Sequence, residues 1–420
     1  MKQLTLSAIG CGNRTRIYMT HASKLPEHYK IVAAADPIPA RLNYVKEISG
    51  NPDFKSFSSD QDFFAEEKLS DVVIIGTQDE FHYKPCKEAL EKGYDVLLEK
   101  PIAPRVEEII DLQNLAEKLG RRLQVCYVLR YTPFYRKIKE ILDAGTIGDV
   151  ISLNANEGVM PWHQAHSFVR GNWNITSESS PMIVAKCCHD TDVIGWLINK
   201  KCKSVSSYGN LTHFTSEHAP EGATKRCTDG CPHLDTCIYS AYKYTDEHRT
   251  PWLAQVFDRA EEATAEEIEE WLKKTDFGRC VYYSDNDVVD HQIVAMEFED
   301  DITANLTMTA FESGRQIEIF GTKGILKGGH FLKTITGSDI IVTSHTGEEE
   351  RHVIDIPPDD HHLGGDEGII NALYKELGGD KYIPVSSYIQ SHIMAYASER
   401  SRLTGATINL EEFKKEFTNS

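Results

Sequence analysis

Residues 4–15 read LTLSAIGCGNRT, a short apolar run that ends in two closely spaced glycines. An apolar run of this length without polar alternation is typical of a parallel strand that is buried on both faces. Gly10 and Gly12 permit a tight turn, and they let the backbone approach a pyrophosphate at the N-terminus of the following helix. Thr15 stands where a third glycine often lies, a position that governs only how closely the helix packs on the strand. The stretch therefore predicts the first strand, turn and helix of a dinucleotide-binding fold.

Strand and helix patterns alternate up to about residue 128. Apolar runs recur at residues 31–35, 72–75, 96–98 and 123–127, and helical patterns occupy residues 85–92 and 106–119. Short strands that alternate with helices predict a parallel, doubly wound sheet. We therefore expect an α/β Rossmann-type domain over residues 1–128.

The pattern changes after about residue 150. Residues 292–298, 303–311 and 316–320 alternate apolar and polar side chains, which is typical of an antiparallel sheet with one solvated face. We expect residues 129–420 to form an α+β domain with a large, mostly antiparallel sheet. Residues 213–280, a Cys-rich stretch followed by an acidic helical segment, are expected to form an insertion in that domain. Residues 387–403 are helical in pattern.

An acidic residue ends the second apolar run. Asp36 could accept hydrogen bonds from the adenosine ribose hydroxyls and would repel a ribose phosphate, which favours NAD over NADP. Alternatively, the glycines form a structural turn and Asp36 caps the next helix, while Arg41 keeps NADP open as the less favoured cofactor. The residues that we predict to bind the cofactor are Gly10, Gly12, Asn13, Arg14, Asp36, Thr77, Glu99 and Lys100.

Charge and hydropathy limit the partners. Lys and Arg total 45 against 64 Asp and Glu, a formal net charge of −19, which disfavours nucleic acid and anionic lipid. No apolar run reaches the length that crosses a bilayer, and residues 1–9 lack the features of a signal peptide. We expect a cytoplasmic protein that binds a small molecule and neither nucleic acid nor membrane.

The tripeptide Glu99-Lys100-Pro101 follows the fourth predicted strand. Open α/β sheets bind their ligands at the edge where parallel strands end, so this turn faces the expected site. Elsewhere the tripeptide would be an ordinary surface turn. A lysine here can polarise a substrate hydroxyl and take part in proton transfer.

The chain resembles the Gfo/Idh/MocA family over essentially its whole length. The resemblance rests on residues 10–12 and 99–101, on His189-Asp190-Thr191-Asp192, and on residues 317–324, which read IEIFGTKG. It implies a nucleotide domain followed by an antiparallel-sheet domain, substrate held between the two, and a homo-oligomer. It also implies that Lys100 is the active-site lysine and that His189 exchanges the proton of the substrate hydroxyl.

One position departs from the family pattern. Many family dehydrogenases carry an aspartate four residues before this histidine, whereas this chain has Ala185 there, followed by Lys186. Without that carboxylate, His189 lacks an obvious partner to raise its basicity. Lys186 could share the proton transfer through a lowered pKa, or it could bind a substrate oxygen.

Two further segments are rich in residue types that bind sugars. Residues 162–173 offer aromatic faces and hydrogen-bond donors, and residues 361–366, HHLGGD, resemble a glycine-rich loop of family members that act on glycosides. Either could instead be a surface loop. The residues that we predict to bind substrate are His166, Arg170, Trp173 and His362, together with Arg130, beside Tyr131, after the last predicted strand of the first domain.

Three cysteines cluster inside the predicted insertion. Cys227, Cys231 and Cys237 are spaced as thiolates that could bind zinc or an iron–sulfur cluster, with His233 among them and Cys280 further along. The spacing is not a paired Cys-x2-Cys motif, and reduced free thiols are the equal alternative.

The favoured function is an NAD-dependent oxidoreductase that acts on a secondary hydroxyl of a sugar, a glycoside or a cyclic polyol. One alternative is an NAD-dependent glycosidase that works by transient oxidation and elimination, with which residues 361–366 are consistent. A second is a non-catalytic nicotinamide-sensing protein. The presence of both Lys100 and His189 argues against a sensor, which has no use for proton transfer.

Overall fold

A computed structural model describes residues 2–246, 250–257, 259–260, 262–329, 339–355, 362–380 and 383–418. His361, in the second predicted substrate segment, lies outside the described residues.

The first sheet has six parallel strands and confirms the Rossmann-type fold. In spatial order the strands are β3 (Lys55–Phe57), β2 (Tyr29–Ala35), β1 (Leu4–Ile9), β4 (Val72–Ile75), β5 (Asp95–Leu98) and β6 (Leu123–Val125). The helices between them are α1 (Asn13–Ser23), α2 (Pro39–Ser49), α3 (Asp60–Ala65), α4 (Tyr83–Glu91) and α5 (Val106–Leu119). The central strand β4 is wholly buried, which explains its uninterrupted apolar sequence. The edge strand β3 has no such run, and it is therefore not predicted from the apolar pattern.

Among the described residues the second sheet has nine strands, and it confirms the mostly antiparallel architecture. Its spatial order is β14 (Glu349–His352), β13 (Ile340–Ser344), β12 (Gly324–Gly329), β11 (Ser313–Gly321), β7 (Val150–Val159), β10 (Thr303–Thr309), β9 (His291–Phe298), β8 (Cys202–Asn210) and β15 (Ile408–Asn409). The pair β7–β10 is parallel, whereas its other neighbouring pairs are antiparallel. Buried and exposed residues alternate strictly along β9, as the sequence period predicts.

The remaining helices are α6 (Pro133–Asp143), α7 (Pro161–His163), α8 (Met182–Ala185), α9 (Cys188–Ile198), α10 (Thr250–Leu253), α11 (Ala265–Lys274), α12 (Gly365–Leu377), α13 (Val385–Thr404) and α14 (Leu410–Thr418). Of these helices, α9, α13 and α14 pack on strands of the second sheet. A π-helical turn, Gln164–Val169, continues α7. Residues 211–290 connect β8 to β9, and they include an apolar cluster that packs on Trp162. The boundary at residue 128 and the limits of the insertion stay predictions.

Helix α12 packs against the first domain although it lies near the end of the chain. Ile369, Ile370 and Leu373 share an apolar cluster with residues of α1. A Cβ atom on Gly365 would lie 2.5 Å from the carbonyl oxygen of Val128, so this close approach requires glycine. The glycine-rich segment is therefore the start of a docked helix rather than a free loop.

Among the described residues, the structure contains no helix with the length and apolar character that a membrane crossing requires.

Candidate active site

The glycine turn lies where strands β1 and β4 end. Gly10 has a φ of +78°, and a Cβ atom there would lie 2.7 Å from the backbone nitrogen of Thr77. Gly12 precedes α1, and a Cβ atom on it would meet only the carbonyl oxygen of Gly76, at 3.9 Å. Gly10 therefore serves the protein's own turn, whereas the bare backbone at Gly12 leaves room for a ligand.

This turn has the properties of a phosphate-binding site. Helix α1 has no side-chain cap and no acidic residue in its first turn, so its N-terminal amides and dipole are available to an anion. Thr15 Oγ1 and Thr77 Oγ1 are buried and have no hydrogen-bond partner among the described residues. Buried hydroxyls without partners are uncommon, so these two atoms fit a turn that binds a polar cofactor.

Asp36 is fixed by the backbone around it. Its carboxylate accepts hydrogen bonds from the amide of Cys11 at 2.7 Å and from the amide of Ile38 at 2.8 Å, and its side chain is buried. The contact with Ile38 closes a turn before α2 and does not cap that helix, whose N-terminus has no side-chain cap. The contact with Cys11 couples the same carboxylate to the glycine turn. Binding of the cofactor by Asp36 stays a prediction.

Arg14 joins the glycine turn to helix α12. Its guanidinium contacts both carboxylate oxygens of Asp366 at 2.5 and 3.1 Å, Glu99 at 3.2 Å and the hydroxyl of Tyr18 at 2.6 Å. It also lies 3.1 Å from Nδ1 of His362. Because these contacts occupy its side chain, Arg14 can serve a cofactor more readily through its backbone amide. Its role in cofactor binding stays a prediction.

Lys100 is held on the turn after β5. Its Nζ donates a hydrogen bond to the carbonyl oxygen of Ala185 at 3.0 Å, and its amide donates to Glu99 at 2.9 Å. The amide of Ile102 donates to Nε2 of His392 at 2.9 Å, so α13 fixes the same turn. Position 185 is the one where many family members carry an aspartate. In this chain it contacts Lys100 through its main-chain carbonyl oxygen.

His189 lies at the start of α9 and is almost completely buried. Its Nδ1 has no hydrogen-bond partner among the described residues, and its ring packs edge-on against Tyr127 with 5.9 Å between centroids. Burial lowers the pKa of His189 well below its ordinary value, and the positive charges of Lys100 and Arg315 lower it further. The imidazole is therefore neutral at neutral pH and can accept a proton.

A network that the sequence analysis missed lies beside His189. Lys186 Nζ is 3.3 Å from Oε1 of Glu157, and Nε of Arg315 is 2.9 Å from Oε2 of the same carboxylate. Arg315 also contacts both carboxylate oxygens of Asp190, at 2.8 and 3.3 Å. Glu157 and Arg315 lie on the adjacent strands β7 and β11, so only the register of the sheet shows that they meet. Burial raises the pKa of Glu157.

Two histidines from distant segments approach this network. The ring of His362 lies 6.4 Å from that of His189, and it contacts Asp366 at 2.9 Å. The ring of His163, in α7, lies tilted against that of Trp252, with 4.8 Å between centroids. Burial lowers the pKa of His163, as do the nearby charges of Lys186, Lys100 and Arg315. The structure thus brings His362 beside the predicted catalytic residues and adds His163, which the sequence analysis had not singled out.

Arg130 does not face this site. Its guanidinium forms a buried, bidentate pair with Asp192 at 2.6 and 2.5 Å, and it contacts Ser387 and the ring of Tyr388. Both side chains of the ion pair are at most 1% exposed. This geometry favours a structural role over the predicted substrate contact.

The other three predicted substrate residues make contacts with the insertion or with the first domain. His166 is buried and bonds to the hydroxyl of Tyr244 at 2.8 Å, while Arg170 donates to the carbonyl oxygens of Arg279 and Tyr239. Trp173 Nε1 donates to Asp79 of the first domain at 3.1 Å. These contacts anchor the insertion and the domain junction. Binding of substrate by these residues stays a prediction that their placement does not favour.

The cysteine cluster surrounds a small cavity in the insertion. Cys227, Cys231, Cys237 and Cys280 line it together with Arg170, and all four are free thiols. Within the part of the chain that the structure describes, no three His, Cys, Asp or Glu side chains are positioned to hold a metal ion together. The zinc or iron–sulfur prediction therefore finds no support, and the cysteines serve as lining of this cavity.

A glycine turn, a lysine and a buried histidine at the edge of a parallel sheet define a nicotinamide-dependent oxidoreductase. Comparison with known proteins agrees: residues 5–127 match an oxidoreductase family with an NAD-binding Rossmann fold, and residues 139–363 match the C-terminal α/β domain of that family. The chain belongs to the Gfo/Idh/MocA oxidoreductase family.

Individual relatives are distant. The chain is 26% identical over 336 residues to YteT of Bacillus subtilis, a protein named as an oxidoreductase, with 76% of each chain covered. It is 26% identical over 205 residues to an inositol 2-dehydrogenase of Corynebacterium glutamicum, covering 49% of this chain and 57% of that one. A scyllo-inositol dehydrogenase from Lactobacillus casei, solved with NAD(H) and scyllo-inositol, has a similar fold with a TM-score of 0.64 and 20% identity, over 98% of this chain and all of that one.

Proposed function

We propose that the protein oxidises a secondary hydroxyl of a sugar, a glycoside or a cyclic polyol with NAD as the hydride acceptor. The observation that carries the proposal is the position of Lys100, whose Nζ bonds to the carbonyl oxygen of Ala185 and whose charge is close enough to lower the pKa of the neutral His189. Glu99, the residue before Lys100, contacts Arg14 in the first turn of α1. The inositol dehydrogenases among the relatives support a cyclic polyol as one candidate substrate.

Cofactor binding, proton transfer and substrate binding would fall to different residues. The backbone of residues 10–15 and the carboxylate of Asp36 would hold the cofactor, which supplies the hydride acceptor when bound. The ammonium of Lys100 would stabilise the substrate oxygen as its proton leaves, and the imidazole of His189 would accept that proton. Lys186 would contact a further oxygen of the substrate, because its Nζ lies at the carboxylate of Glu157 and has further donors to offer.

A second candidate is cleavage of a glycoside through transient oxidation without net NADH. The neighbouring rings of His189 and His362 favour it, because elimination needs a second group to move a proton. Incubation with NAD and glycosides distinguishes the two candidates: accumulation of NADH supports the dehydrogenase, and cleavage without NADH supports the glycosidase.

Replacing Asp36 with Ser is expected to narrow the preference for NAD over NADP. The carboxylate repels a ribose phosphate, and serine removes this repulsion. Calorimetric titration of both variants with both cofactors measures the ratio of affinities. Tighter binding of NADP by the unsubstituted protein would contradict the assignment of Asp36. Because Asp36 also accepts two backbone hydrogen bonds, the thermal stability of the variant is the necessary control.

The acid limb of the kcat/KM profile is expected below pH 6.5, the ordinary pKa of histidine. Burial and neighbouring cations lower the pKa of His189, so its neutral, proton-accepting form persists as the pH falls through that value. A steady-state pH profile measures the limb, and the Arg315→Met variant, which removes one of the cations, should shift it upward. A limb above pH 7 that His189→Ala leaves unchanged would show that another group accepts the proton.

A further inference from the structure

Basic side chains cover buried carboxylates throughout the candidate active site. Arg14, Lys186 and Arg315 are 19–26% exposed, whereas the acids that they contact are 2–6% exposed. Those acids are Glu99, Asp366, Glu157 and Asp190. The basic side chains of the site are therefore more exposed than the acids that they contact, although the chain as a whole carries a net charge of −19.

Two of these cations belong to the substrate side of the site. Arg14 lies in the first turn of α1, and its guanidinium is already occupied by Asp366, Glu99 and Tyr18. Lys186 follows α8 and Arg315 lies on β11, and both belong to the second domain. They meet at Glu157, which is 3.3 Å from Lys186 and 2.9 Å from Arg315. We call Lys186 and Arg315 the basic pair.

Lys100 adds a third cation beside the basic pair. Its Nζ bonds to the carbonyl oxygen of Ala185, the residue before Lys186, and no carboxylate among the described residues forms an ion pair with it. Lys100, Lys186 and Arg315 are all close enough to His163 and His189 to lower the pKa of each ring. Apart from Arg14 with its partners Glu99 and Asp366, which together carry a formal charge of −1, the three cations exceed Glu157 and Asp190 by one formal unit charge.

The basic pair also has hydrogen-bond donors that its contacts with Glu157 and Asp190 do not use. Nε and Nη2 of Arg315 bond to Asp190, and its Nη1 makes no hydrogen bond to the described residues. The ammonium of Lys186 has three donors, and Glu157 is its one acidic partner among the described residues. Charge-assisted bonds from such donors to a carboxylate are stronger than bonds to a neutral hydroxyl.

We propose that the substrate is an acidic sugar or an acidic cyclic polyol whose carboxylate binds the basic pair while its reacting hydroxyl faces Lys100 and His189. The inference rests on the proposed function and narrows its substrate class. A single excess positive charge suits a carboxylate better than a phosphate monoester, which carries a charge of about −1.5 to −2 at neutral pH.

The test uses the full-length protein saturated with NAD and two matched pairs of ligands: glucuronate with glucose, and galacturonate with galactose. Calorimetry measures binding, and the absorbance of NADH measures turnover. In at least one pair the acid is expected to bind about tenfold to a hundredfold more tightly than the neutral sugar, with an advantage that shrinks as salt increases. Lys186→Met should reduce this advantage by about tenfold or more. The control Lys203→Met, which removes an exposed lysine paired with Glu297 and Asp301 on the second sheet, should retain it.

The proposal would be overturned if, in both pairs, the acid bound no more tightly than the neutral sugar or neither bound detectably. It would also be overturned if Lys186→Met and Lys203→Met changed the advantage of the acid equally. Tighter binding of glucose 6-phosphate than of either uronate would overturn the choice of a carboxylate. Acid-selective binding without NAD reduction would support the basic pair and reject the oxidoreductase function, so the two failures are distinguishable.

Discussion

Replacing Lys100 or His189 with alanine is expected to lower turnover by about a hundredfold to ten-thousandfold. The affinity for NAD should stay nearly unchanged, because Lys100 is predicted to lie beside the nicotinamide and neither residue is assigned to the pyrophosphate or the adenosine ribose. Hydride transfer from an alcohol requires its hydroxyl proton to leave as the carbonyl forms, so removal of either group raises the barrier to that step. Steady-state kinetics on an accepted substrate, together with calorimetric titration of NAD, measure the two effects separately.

Gly12→Val provides the reciprocal control. A Cβ atom at this position has space within the protein, so the folded structure should persist while the larger side chain excludes the cofactor phosphates. We expect loss of NAD affinity without a comparable loss of thermal stability. Near-normal turnover in both Lys100→Ala and His189→Ala would refute the assignments and direct attention to Lys186 and His362.

Replacing Arg130 with Met is expected to lower the free energy of unfolding by about 3–5 kcal/mol, because Asp192 would remain buried without its partner. Chemical denaturation measures the change. Arg130→Met combined with Asp192→Leu should recover much of the loss, since the double variant leaves no buried charge unpaired. Arg400→Met, which removes an exposed ion pair with Glu416, should cost no more than about 1 kcal/mol.

The same variant separates the two roles of Arg130. A structural residue affects stability first, whereas a substrate contact raises KM in a protein of normal stability. If Arg130→Met keeps its stability and loses substrate affinity, the result would support the substrate contact that the sequence predicts for Arg130.

The parallel sheet could be predicted because its physical signal is local. Buried strands such as β4 are continuously apolar, and α5 was predicted with its observed limits because Gly120 ends it in the left-handed conformation. The short edge strand β3 carries no such signal, since two of its three residues are exposed. The parallel pairing of β7 with β10 depends on contacts distant in sequence, which a pattern of alternation does not specify.

The candidate site was predictable where a motif fixes a residue at a strand end. Lys100 and the glycine turn belong to this group, and His362 lies beside His189. Residue type alone does not specify the partners of Arg130 and Arg170, because an arginine near a cleft can equally contact a buried carboxylate or backbone carbonyls. Glu157 and Arg315 were missed because they meet through strand register, with no spacing in the sequence to show it.

The most direct test of the central claim is incubation of the purified protein with NAD and a panel of sugars, sugar acids, glycosides and cyclic polyols, with NADH absorbance and product mass followed together. The account predicts NADH formation in step with a product that has lost two hydrogens, and loss of both signals in Lys100→Ala and His189→Ala. Glycoside cleavage without NADH would favour the second candidate function. Tight NAD binding with neither NADH nor product across the panel would contradict the claim that the protein is a dehydrogenase of this substrate class.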